Sequence, residues 1–81
     1  MTPAEVPAWV AWLAQDADGA WWGYEAAPNK QDHGWYENEA GRIVRLGRAA
    51  PPADWEAMLL RADAAQVAAV LAAIRAAAGR S

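Results

Sequence analysis

Apolar residues recur with period two through the first half of the chain and with period 3.6 after Pro51-Pro52. In residues 8–15, Val10, Trp12 and Ala14 fall on one face and Trp9, Ala11 and Leu13 on the other. Both faces are apolar, which predicts a strand covered on both sides or lying beside an interface. Asp16-Ala17-Asp18-Gly19 reads as a turn, because Asp bonds its own backbone and Gly supplies positive φ. Residues 20–25 then return as the second strand of a hairpin. Trp22 and Tyr24 share one face of it, Trp21 and Glu25 the other. Residues 26–33 are polar around Pro28 and Asn29 and read as a loop. A third strand is expected at 34–38, a turn at 39–41 and a fourth strand at 42–48, where Ile43 alternates with Val44 and Leu46.

Beyond Pro52, Trp55, Met58, Leu59 and Ala62 lie on one helical stripe, and Val67, Val70, Leu71, Ile74 and Ala78 on another. Asp54 suits an N-cap for the first stripe. Asp63 with Gln66 three residues later forms a capping box for the second. Gly79 suits the helix end, and Arg75 and Arg80 complement its dipole. At the other terminus, Thr2-Pro3-Ala4-Glu5 has the form of a capping box, but Pro7 limits it to a single turn. The expected fold is α+β: a four-stranded antiparallel meander packed on one or two C-terminal helices. Residues 1–81 are expected to form a single domain, with the sheet at about 8–48 and the helical region at about 52–79.

Composition sharpens this picture. Hydrophobic residues make up 56% of the chain, but 23 are Ala, and six Trp with no Phe supply most of the core volume. Cys is absent, which excludes disulfides, thiolate metal sites and Cys nucleophiles. The first basic residue is Lys30, so no basic n-region opens a leader, and no apolar run approaches the roughly 20 residues of a membrane span. The expected location is the cytoplasm, without membrane association. Net charge is -3. The acids concentrate in residues 1–39, where Lys30 is the one basic residue, and six Arg lie beyond. An acid excess argues against general nucleic-acid binding and permits contact with a basic protein surface.

Candidate chemistry is sparse. Asp16-x-Asp18-Gly19 opens like a calcium loop, but the twelfth position is Ala27 and the sixth Trp21, so the ligands required there are missing. His33 is the single His and has no partner set for zinc. No Ser or Thr lies between Thr2 and Ser81, and Glu37 with Glu39 sits beside a turn. The expectation is a protein that is not an enzyme and uses no cofactor or metal. Arg42, Arg45 and Arg48 recur near Trp35 and Tyr36, a pattern suited to single-stranded nucleic acid. Strand alternation, however, sets Arg45 opposite Arg42 and Arg48, and a polar rim that pairs with nearby acids accounts for them better.

The Trp set carries the strongest signal. Trp9, Trp12, Trp21, Trp22, Trp35 and Trp55 exceed one small core, so some must lie on the second face of the sheet or at its edge. Either the loop and N-terminus cover that face, or it is a contact surface. Trp22, beside Tyr24, is expected inward; Trp21, beside Glu25, outward. The expected protein-binding set is Trp21, Glu25, Asp32, Trp35, Glu37 and Glu39.

From Trp12 to Trp55 the chain resembles small Trp-rich accessory proteins of phages and mobile elements. The resembling residues are Gln15-Asp16-Ala17-Asp18-Gly19, Trp22-x-Tyr24-Glu25, Gly34-Trp35-Tyr36, Arg45-Leu46-Gly47 and Pro52-x-Asp54-Trp55. The resemblance implies an inhibitor of host defence, of the anti-CRISPR kind, acting on a host protein or complex. A single-stranded nucleic-acid binder and a structural homo-oligomer stand as alternatives.

Overall fold

The computed structural model describes residues 6–30, 34–36 and 41–79. The capping box at Thr2 and Glu5 lies outside them. Strand β1, Trp12–Gln15, and strand β2, Ala20–Tyr24, form an antiparallel hairpin. Its turn is built as the residues require. The Gly19 amide donates to Asp16 O (2.9 Å), the Ala20 amide donates to Asp18 Oδ1 (2.9 Å), and Gly19 takes φ +97°. Residues 7–10 turn before the strand begins, with the Val10 amide donating to Pro7 O.

Two short strands, β3 (Asn29–Lys30) and β4 (Trp35–Tyr36), pair among the described residues only with each other. The strand expected at 34–38 therefore belongs to a separate two-stranded ribbon, with its partner drawn from the expected loop. Strand β5, Ile43–Arg48, pairs antiparallel with β2.

The expected first helix is replaced by a 3-10 turn, Trp55–Ala57, followed by strand β6, Leu59–Arg61. β6 pairs antiparallel with β1, setting Leu60 beside Leu13 and Arg61 beside Trp12. The sheet is thus four-stranded and antiparallel in the order β5-β2-β1-β6, with β6 as its fourth strand, so sequential neighbours do not all lie side by side. A local 3.6 pattern lost to pairing with β1, which satisfies the backbone and packs half-buried Leu60 against the core in one step. One helix follows: α1, Ala64–Ala78. The Asp63 carboxylate accepts from the Gln66 amide at 2.9 Å, which is the expected cap.

Helix α1 covers one face of the sheet, the inner face. Val70 joins Val10, Leu13, Trp21 and Ala49 in the core, with Val67, Ile74, Met58 and Leu60 packed against them. Gly47 allows the approach of helix to strand: a Cβ there would lie 2.6 Å from Ile74 Cγ2. Buried Gln15 donates through Nε2 to Gly19 O (3.1 Å) and Ala50 O (3.2 Å), tying the hairpin turn to the segment after β5.

The register reverses the tryptophan assignment. Trp21 pairs with Gln15 and Gly47 on the inner face and is 4% exposed; Trp22 pairs with Ala14 and Arg45 on the outer face and is half-buried. The Tyr24 side of the hairpin is the outer one, and Tyr24 is nonetheless 2% exposed. Shared burial of Trp22 and Tyr24 was a poor guide because both faces of the hairpin are covered.

Candidate functional site

The outer face is assembled around Asp16. Its Oδ2 accepts from Trp22 Nε1 at 3.1 Å and its Oδ1 from the Trp35 amide at 2.8 Å. One carboxylate at the hairpin turn thus pins β4 to the sheet. The Trp35 ring meets Trp55 edge-on, with centroids 6.2 Å apart and planes at 84°. Lys30 on β3 reaches Glu56 at 3.8 Å, a second tie between the ribbon and the 3-10 turn.

Beyond this cluster the face is basic and apolar. The Arg61 guanidinium stacks 4.7 Å from the Trp12 ring centroid. Ile43, at 39% exposure, is the one large exposed hydrophobic among the described residues. The pairing of β2 with β5 slips between Trp21 and Trp22, so that Gly47 and Arg45 face successive β2 residues and Leu46 is the bulged residue. Arg45 pairs with Trp22 and Arg48 with Ala20, so the bulge brings both arginines to the outer face. Simple alternation had separated them. Arg42 is the one set apart: it stacks 4.7 Å from the Trp9 ring centroid and grips Glu25 through Nε (3.2 Å) and Nη2 (3.0 Å).

The expected binding set is not gathered into one surface. Trp21 lies in the core. Glu25 is occupied by Arg42, whose side-chain and backbone hydrogen bonds hold its carboxyl below the usual 4.5. The side-chain hydrogen bond to Glu25 in turn raises the Arg42 pKa further above its ordinary value. Trp35 packs within the molecule at the opposite end of β2 from Glu25, and its Nε1 is buried without a hydrogen-bond partner. Asp32, Glu37 and Glu39 lie outside the described residues, as does His33. Trp12, Arg61 and Ile43 were missed. The first two meet only because β6 pairs with β1, and no local pattern marks that pairing.

Asp16 and Asp18 bond the hairpin and its neighbours, and among the described residues no three His, Asp or Glu side chains gather as metal ligands. Among them, too, no helix is long and apolar enough to cross a membrane. Beside the end of β5, an open cavity of about 460 Å³ is lined by Arg48, Ala49, Ala50, Ile74, Ala77 and Ala78. No family model, curated protein or solved structure matches the chain.

Proposed function

We propose that the protein is a non-enzymatic, protein-binding inhibitor that occludes a functional surface of a larger host protein complex, in the manner of phage-encoded anti-defence proteins. The observation that carries this reading is the outer face of the sheet, which exposes Ile43, Arg45 and Arg48 along β5 and Arg61, stacked on Trp12, along β6, on either side of buried Tyr24. Trp and Arg are the residues that dominate interface energetics, and a rigid sheet presents them at low entropy cost. The contact thus moves from the expected acidic rim to this basic and aromatic face. Affinity capture from a bacterial lysate, followed by an activity assay of the captured complex, tests it. Wild-type protein is expected to capture and inhibit the complex, and Trp12→Ala with Arg61→Glu to do neither. Equal capture by both proteins excludes this face.

A second reading rests on the bulge. By setting Arg45 and Arg48 beside Trp22 on one face, it supports a single-stranded nucleic-acid contact better than simple alternation does. Arg42, held by Glu25, is not part of it. Salt-sensitive retardation of short single strands, lost in Arg45→Ala with Arg48→Ala, would establish this reading over the first.

A further inference from the structure

We propose that the open edge of β5 takes up an extended acidic segment of the partner protein as a fifth strand of the sheet. This rests on the protein-binding reading and names the kind of segment bound.

β5 is the longest strand and an outermost one. Its backbone bonds to β2 are bracketed by Glu25 N to Arg42 O (2.9 Å) and Ala49 N to Gly19 O (3.0 Å). Bonded and outward-facing residues alternate in an antiparallel pair, and the bulge absorbs the extra residue. Arg42, Val44 and Ala49 therefore face β2, while Ile43, Arg45 and Arg48 direct their amides and carbonyls to the open edge. Among the described residues, no element covers that edge with backbone hydrogen bonds. Such a row is a template for strand addition.

Charge selects the occupant. The side chains of Ile43, Arg45 and Arg48 stand on the outer face, next to the incoming strand. Arg48 Nε bonds the Asp18 backbone oxygen at 3.1 Å, and neither Arg45 nor Arg48 forms an ion pair among the described residues. A second copy would set its own Arg45 and Arg48 against these and be repelled; alternating carboxylates would pair with them. The opposite face of the added strand looks toward the cavity of about 460 Å³ between β5 and α1, with its apolar wall of Ile74, Ala77 and Ala78. The segment that fits alternates acidic with small or medium apolar residues. It places carboxylates outward beside the arginines and an aliphatic side chain against Ile74.

A synthetic peptide alternating glutamate and valine tests this on isotope-labelled full-length protein, read by amide hydrogen exchange. With peptide at ten times its Kd, exchange at Ile43, Arg45 and Arg48 is expected to slow about tenfold. A lysine–valine peptide, or the acidic peptide with N-methylated backbone, is expected to leave these amides unchanged. In Arg45→Glu with Arg48→Glu, the preference is expected to pass to the lysine peptide, with exchange in α1 unaltered as the check of folding. Unchanged exchange at the three amides with the acidic peptide, or equal binding of both peptides, overturns the proposal. Edge protection that appears without peptide and grows with protein concentration overturns it in favour of a second copy. Host-complex capture separates the two levels. Capture that survives Arg45→Glu with Arg48→Glu but fails in Trp12→Ala with Arg61→Glu overturns the edge proposal alone. Edge protection by the peptide without capture by wild type overturns only the broader reading.

Discussion

Arg61 and Trp12 are cross-strand partners, and the guanidinium of the first stacks 4.7 Å from the ring centroid of the second. The pair joins β6 to the hairpin on the outer face, while Leu60 and Leu13 join it on the inner face. Arg61 is exposed, so its contact with the ring is worth about 0.5–1 kcal/mol. Arg61→Ala is expected to lower urea stability by about that amount, and Arg61→Ala in a Trp12→Ala background by less. Additive losses in that double-mutant cycle would show that the stack contributes nothing.

The two adjacent tryptophans separate cleanly by substitution. Trp21 fills the core, so Trp21→Ala is expected to cost about 3–5 kcal/mol in urea unfolding. Its Nε1 is buried without a hydrogen-bond partner, a burden of about 1–3 kcal/mol, so Trp21→Phe removes that burden along with some volume and is expected to be far milder. Trp22 has the opposite character. Its Nε1 bonds Asp16, so Trp22→Phe is expected to cost about 1.5–3 kcal/mol as a bond to a charged group is lost. A Trp21→Phe protein less stable than Trp22→Phe would contradict this division.

Short-range chemistry was the legible part of the fold. The Asp16–Gly19 turn and the Asp63 cap are made by residues within four positions of each other, and both formed as read. The hairpin and β5 were also legible, since alternation there is backed by Trp, Ile and Val. The second edge was not. Leu59-Leu60-Arg61 is too short to declare a period, and its helical reading yielded to an edge opened by β1, a long-range event with no local mark. The site failed for two related reasons. Assigning Trp21 outward took the Trp22–Tyr24 aromatic pair as the mark of the core, whereas that pair lies on the second face, part of which the Asp16-held ribbon and Trp55 cover. Separating Arg45 from Arg48 assumed unbroken alternation, whereas Leu46 bulges.

The Glu25–Arg42 pair gives stability an acid limb. Native hydrogen bonds from Arg42 lower the Glu25 pKa below 4.5, so the folded state binds this proton less readily than the unfolded chain. The contribution is therefore complete above pH 4.5 and is lost as pH falls through the lower folded value. The same hydrogen bonds shift Arg42 upward, so its share is present throughout the neutral and acid range and is lost only in strong alkali. In Glu25→Gln, the fall in urea midpoint below pH 4.5 is expected to be shallower than in wild type, and a matching acid limb in the two proteins would mean that the pair does not couple to folding.

Gly47 sets how closely α1 lies on the sheet. Its φ of +154° is one that side chains avoid, and a Cβ there would lie 2.6 Å from Ile74 Cγ2 and 3.1 Å from Ile74 Cδ1. Both costs fall on Gly47→Ala, with overpacking alone costing about 1–3 kcal/mol. The steric part has a specific remedy. Ile74→Ala removes the obstructing atoms, leaving only backbone strain and the cavity at position 74. By itself Ile74→Ala is expected to destabilise, because Ile74 packs against the core. The double variant is then expected to be more stable than the sum of the single losses, by about 1 kcal/mol or more, as contacting residues couple. Urea unfolding of the four proteins measures this directly. Simple additivity would mean that α1 shifts away from β5 to admit the methyl group, and amide exchange across Ala64–Ala78 would then quicken in Gly47→Ala alone.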